Sequence, residues 1–170
     1  MKAFCGLLLV FLVAVGTCRA QDGTIQLARL YFNQLPFKAT KEQIVQRLGA
    51  PNRIDEPKRE CGTLSSSEQS NKVYSLHYSQ VLFTGNAQSS YVLEEMTFSQ
   101  VTSGLLMYGP WKLGGKTTIK DLQQIFGRSL DFSKVKGGTG DVMVRSTGDD
   151  GAIFWFKDGH LTKFEYWSPC

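Results

Sequence analysis

The sequence predicts an α+β protein of two similar units, each with short capped helices packed on one face of an antiparallel sheet. Three observations predict it: a capped helical segment occurs twice, a run of β-rich segments follows each copy, and turn signals separate those segments.

The helical segments are 38–49, KATKEQIVQRLG, and 116–127, KTTIKDLQQIFG, at an offset of 78. Lys38/Lys116, Thr40/Thr118, Gln46/Gln124 and Gly49/Gly127 are identical pairs, and Ile44/Leu122 and Leu48/Phe126 are apolar pairs. Thr40 and Thr118 suit the N-cap, where a hydroxyl accepts from a free amide of the first turn. Gln43 stands three residues after Thr40, as a capping box requires, and Asp121 holds that place after Thr118. Gly49 and Gly127 suit the left-handed position just past a helix, and Pro51 blocks continuation of the first. Ile44, Val45 and Leu48 form one apolar stripe; Leu122, Ile125 and Phe126 form the other. Helices of about two turns are unstable alone and need a sheet to lie on.

VYSLHY, QVLF and YVLEEMTF, within 73–98, are the strand candidates of the first unit. VMVRS, AIFWF and HLTKFEYW, within 142–167, are those of the second. Gly85-Asn86 and Asp158-Gly159 are the turn signals. Leu93/Leu161, Met96/Phe164 and Phe98/Tyr166 align at an offset of 68, ten less than for the helices. The polar loop 58–72 accounts for the difference. Residues 25–32 read as a short helix, and the glycine-rich stretch 101–115 reads as a connecting loop.

Residues 1–20 read as a cleavable signal peptide. Lys2 is the positive start, Phe4 to Val15 is an apolar run of 12, and Ala20 precedes the cut. That run falls short of the ~20 residues of a spanning helix. The expected organisation is signal peptide 1–20, first unit 21–100, connecting loop 101–115 and second unit 116–170. Val15-Gly16-Thr17-Cys18 resembles a bacterial lipobox, with Thr17 departing from its small-residue pattern, so a lipid anchor at Cys18 is the alternative form of export. The protein is accordingly expected to be secreted or periplasmic. Removing Lys2 and Arg19 lowers the formal charge from +4 to +2, too weak an excess to point to nucleic acid.

Cys61 and Cys170 remain after processing, and in an oxidising compartment an even pair forms a disulfide. On the chain-entropy model a link over so long a loop contributes about 4–5 kcal/mol. No zinc spacing is present, and no cofactor or metal is expected.

Enzymatic chemistry finds little purchase. His77 and His160 are candidate general bases for a small hydrolase or isomerase, the alternative reading. Ser65 to Ser67 lack the strand-turn-helix frame of a nucleophile elbow. Asp149-Asp150 before Gly151 reads as a hairpin turn, and Gly137 to Gly140 lacks a following helix to present amides to a phosphate.

Aromatic density late in the chain is the stronger signal. Phe154, Trp155 and Phe156 are consecutive, so both faces of that strand are aromatic; Phe164 and Tyr166 point one way and Trp167 the other. Trp155 and Trp167, flanked by Lys163 and Glu165, are the candidate binding residues for another protein.

With these motifs on the page, the chain resembles the β-lactamase-inhibitor-protein fold and its single-unit relative, the SmpA/BamE family of envelope-assembly lipoproteins. The residues carrying the resemblance are Thr40, Gln43, Ile44, Leu48, Gly49 and Pro51, with Thr118, Asp121, Leu122, Phe126 and Gly127. It implies a concave sheet surface that grips a partner protein, and so an inhibitor-like binding protein or an envelope-assembly component. A Cys61–Cys170 link departs from the inhibitor pattern of one disulfide per unit.

Overall fold

The computed structural model describes residues 23–57, 72–100, 105–127 and 130–169. The expected signal peptide, Cys18, the expected Cys61–Cys170 disulfide and the Ser65 to Ser67 loop lie outside these residues. A 3-10 turn, Leu27–Arg29, leads into β1 (Leu30–Phe32), β2 (Leu35–Pro36) and β3 (Lys38–Ala39). Then come α1 (Lys41–Leu48), β4 (Arg53–Asp55), β5 (Tyr74–His77), β6 (Val81–Gly85) and β7 (Tyr91–Thr97). The hairpin of β8 (Leu106–Tyr108) and β9 (Trp111–Leu113) precedes α2 (Ile119–Phe126). The chain continues with β10 (Gly140–Arg145), β11 (Gly151–Lys157) and β12 (His160–Trp167).

Both helices begin as their sequences require. The Thr40 hydroxyl accepts from the Gln43 amide, and the Gln43 side chain accepts from the Thr40 amide. Thr118 and Asp121 reproduce this reciprocal pair. Each helix stops at a glycine with positive φ, +82° at Gly49 and +98° at Gly127. Their ψ values, −169° and 166°, are extended rather than left-handed helical, in a region open essentially to glycine alone. α2 buries Leu122, Ile125 and Phe126, whereas α1 buries only Ile44.

The α+β expectation is overturned: the protein is mostly β. Its strands form two antiparallel sheets, and neither unit has a sheet of its own with a helix layer on it. The four-stranded sheet runs β2-β1-β8-β9, and the eight-stranded one runs β10-β11-β12-β7-β6-β5-β4 with β3 paired to β7. Each sheet is shared by the two halves, joined through β1–β8 in one and β7–β12 in the other. The physical reason is edge removal. A unit folding alone would leave β7 or β12 with a row of unpaired amides and carbonyls, and pairing the two halves satisfies both rows at once.

Two local expectations fall for a related reason. Residues 25–32 hold only one 3-10 turn before β1, and the expected loop 101–115 contains β8 and β9. Strands of three residues carry too little alternation to show as a period. They become strands because they pair with each other, Leu30 with Tyr108 and Tyr108 with Trp111.

The core lies between the sheets. Tyr108 meets Phe126 of α2 at 4.8 Å between ring centroids, Phe126 meets Phe154 at 5.6 Å, and Phe154 meets Phe164 at 5.7 Å. The four-stranded sheet and α2 therefore cover one face of the eight-stranded sheet. No described element packs on the opposite face across β10, β11 and β12, the open face.

Candidate functional site

Alternation, interrupted once by a bulge in β12, decides which side chains reach the open face. In β11, Ala152, Phe154 and Phe156 are buried, while Trp155 and Lys157 are exposed and Ile153 is half-buried. In β12, Phe164 and Tyr166 are buried, and Lys163, Glu165 and Trp167 are half-buried on the other side. A bulge keeps this register: Trp155 pairs with Lys163 and Phe156 with Leu161, leaving Thr162 as the extra residue. The Thr162 hydroxyl donates to the Trp155 carbonyl at 3.1 Å and fixes the bulge.

Trp155 sits at the centre of a closed set of contacts. Its indole Nε1 donates to Glu165 Oε2 at 3.1 Å, and the same oxygen accepts from Lys163 Nζ at 2.7 Å. Lys163 Nζ lies 5.0 Å from the centre of the Trp155 ring, within cation–π range. Glu95 of β7 reaches the same ammonium at 3.6 Å. Partial burial opposes the charge on Lys163, but the hydrogen bond to Glu165 and the charges of Glu95 and Glu165 outweigh it and hold its pKa above the usual lysine value. One ammonium thus serves two carboxylates that face each other directly across β7 and β12.

Trp167 stands apart from this set. Gly151, which pairs with it, offers no side chain, and its ring instead lies 5.4 Å beneath the Arg145 guanidinium. The four residues expected to bind thus share one face, but only Trp155, Lys163 and Glu165 touch. Glu95 was missing from the expectation. It lies 70 positions from Glu165 in the chain, and only the β7–β12 pairing brings the two together. The one sequence signal was an acidic pair, Glu94-Glu95, inside an apolar strand.

A row of residues crosses the whole sheet in register: Arg53, His77, Leu82, Glu95, Glu165, Ile153 and Met143. At its far end His77 Nε2 lies 2.8 Å from Asp55 Oδ1, and Arg53 Nε lies 3.1 Å from Asp55 Oδ2. The hydrogen bond with His77 holds the Asp55 carboxyl below its ordinary value, against a desolvation penalty. Ser75, the hydroxyl two residues before His77, is buried and bonded to Thr84 at 3.2 Å. His160 begins β12, bridges to Thr118 through its backbone, and lies in a different strand from His77. Asp149-Asp150 forms a hairpin turn, with Asp150 accepting from Ser146 and Tyr166. Among the described residues, no group of three or more His, Cys, Asp or Glu side chains comes together as a metal site would require.

No family model, no curated protein and no solved structure matches this chain. No helix among the described residues is long and apolar enough to cross a membrane.

Proposed function

We propose that this chain is an exported, non-enzymatic protein-binding protein, inhibitor-like in mode, whose docking surface is the open face of the eight-stranded sheet around Trp155. One observation carries the reading: the Trp155 indole is 36% exposed on a face that no described element covers, yet it is hydrogen-bonded to Glu165 and lies against the Lys163 ammonium. An exposed, pre-oriented tryptophan loses little freedom on binding and supplies a large apolar contact, the pattern of an interface hot spot. Ile153, Met143 and Trp167 supply apolar neighbours, and Glu95, Lys163 and Glu165 supply charged ones. The inhibitor-like mode draws on the resemblance of the tandem helix motif, and export draws on residues 1–20.

The test has two parts. Intact-mass measurement of exported material is expected to place the mature start at Gln21 without lipid; a lipidated chain starting at Cys18 would make it a lipoprotein. Captured partners from the envelope or culture fluid are then compared between wild type and Trp155→Ala. A specific partner is expected to lose about 2 kcal/mol or more of binding with Trp155→Ala. A partner bound equally by both forms rejects this face.

A second reading, a small hydrolase or isomerase, rests on the Asp55–His77 pair, since a carboxylate that orients an imidazole also orients a general base. His77→Ala abolishing a measured activity, with partner binding retained, would select it.

A further inference from the structure

The last strand of the four-stranded sheet borders a cleft that the Trp155 face does not reach. Its volume is about 510 Å³, and its walls include Leu105, Trp111, Lys112, Lys116, Asp121 and Ile125. It lies between β9 and α2, on the covered side of the eight-stranded sheet, whereas Trp155 points from the uncovered side.

Four features of this cleft converge. First, two of the large apolar side chains exposed on the molecule stand in its wall, Leu105 at 40% and Trp111 at 39%. Second, among the described residues β9 ends its sheet and presents an unpaired edge. Tyr108 and Trp111 close the two-residue hairpin at Gly109-Pro110, and the antiparallel pattern then turns the N–H and C=O of Lys112 away from β8. Third, neither the Lys112 nor the Lys116 ammonium makes an ion pair among the described residues. Fourth, the acid in the wall, Asp121, is already committed: its Oδ2 accepts from the Thr118 amide and hydroxyl, both at 2.8 Å. The cleft therefore carries a net positive charge, two lysines against the one carboxylate of Asp121, together with an apolar wall and main-chain groups of Lys112 that no other described segment pairs.

We infer that this cleft binds an extended acidic peptide segment of a partner protein. The segment adds to the β9 edge by main-chain hydrogen bonds with Lys112. Its alternate side chains divide between the two environments, an apolar one against Trp111, Leu105 and Ile125 and an acidic one towards Lys112 and Lys116. Strand addition gives affinity through the main chain and selectivity through such alternate side chains. This inference does not rest on the Trp155 face, and the two can fail separately.

The experiment uses the mature chain and a fluorescein-labelled, N-acetylated hexapeptide alternating glutamate and leucine, followed by fluorescence anisotropy at low and physiological salt. Two control peptides replace glutamate by glutamine or by lysine. The expected result is saturable binding of the glutamate peptide, at least about tenfold tighter than the glutamine peptide and weakened by salt. The double variant Lys112→Glu, Lys116→Glu is expected to lose that preference and to favour the lysine peptide. Trp111→Ala weakens the glutamate peptide in a chain that keeps its lysines, which covers the case of a double variant that fails to fold. Trp155→Ala leaves peptide binding unchanged. Equal binding of the glutamate and glutamine peptides, or saturable binding of neither, overturns the inference and leaves Lys112 as a charge that protects a strand edge.

Discussion

Trp155 and Phe154 are neighbours in one strand with opposite fates. Phe154 is fully buried between Phe126 and Phe164, while Trp155 stands on the open face against Lys163. Phe154→Ala is expected to cost about 3–5 kcal/mol, the transfer term plus the cavity left behind. Trp155→Ala removes its cross-strand contacts with Lys163 and Glu165 and is expected to cost about 0.5–2 kcal/mol. Denaturant melts of the two variants check this, and equal losses would show that the Trp155 face is packed in solution. Tyr166 offers a second test at this scale. Burial first, then the charge and hydrogen bond of Asp150, push its pKa from 10.0 to about 12. A raised folded-state pKa means that the fold favours the protonated phenol. The stability this contributes is full below pH ~10 and is lost as pH rises through about 12. Urea melts across that window are expected to show stability falling with pH, with a smaller slope for Tyr166→Phe. Some slope remains, because burial also raises Tyr78 and Tyr91. A Tyr166→Phe slope equal to that of wild type would reject the assignment.

The helices are where local sequence and structure agree most closely, because their ends are specified by neighbours three residues apart. Thr40 with Gln43 and Thr118 with Asp121 close their boxes without help from the rest of the chain. The stops have a different cause from the one the sequence suggests. Gly49 and Gly127 adopt positive φ with extended ψ, which a Cβ tolerates poorly even where space is free, as it is around Gly49. Gly49→Ala and Gly127→Ala are each expected to cost about 1–3 kcal/mol. Thermal melts at wild-type stability for both variants would contradict the conformations described. The strand turns follow the same logic. Asp158 and Gly159 both have positive φ, +53° and +79°, the two-residue turn whose twist suits a hairpin.

The whole molecule is organised about an approximate two-fold relation that no single element reveals. Met96 and Phe164, equated by the offset of 68, lie directly opposite one another where β7 and β12 pair. Outward from that point β6 and β5 on one side answer β11 and β10 on the other. In the second sheet β1 and β8 pair at the centre, with β2 and β9 outside them. The segment before each helix also bonds the third strand of its own half: the Leu93 amide donates to the Phe37 carbonyl, and the Leu161 amide to the Thr117 carbonyl, both at 2.9 Å. Because both sheets cross the boundary between halves, neither half is expected to fold alone. A fragment of residues 21–100 should show no cooperative thermal transition by circular dichroism, and residues 21–170 should show one. A sigmoidal melt of the fragment would mean that the shared sheets are not required for folding.

Nearest-neighbour chemistry wrote the parts of this protein that the sequence determined by itself. The capping residues, the six longer strands and the turns at Asp158-Gly159 and Asp149-Asp150 depend on side chains within a few positions, so they were legible in order. Alternation within β12 separated Phe164 and Tyr166 from Trp167, but which face of β11 and β12 is exposed waited on their pairing, because the bulge at Thr162 resets the alternation. Tertiary structure alone decided how those parts combine. The fold class changed because strands 68 and 78 positions apart in the repeat completed each other's edges, and hydrogen bonds between distant segments leave no periodic mark in either. β8 and β9 became strands for the same reason. Glu95 entered the Trp155 cluster only through that pairing, and the cleft beside β9 exists only because a hairpin read as loop stands next to α2. Local preferences choose the elements, and the satisfaction of unpaired edges over long separations chooses their neighbours.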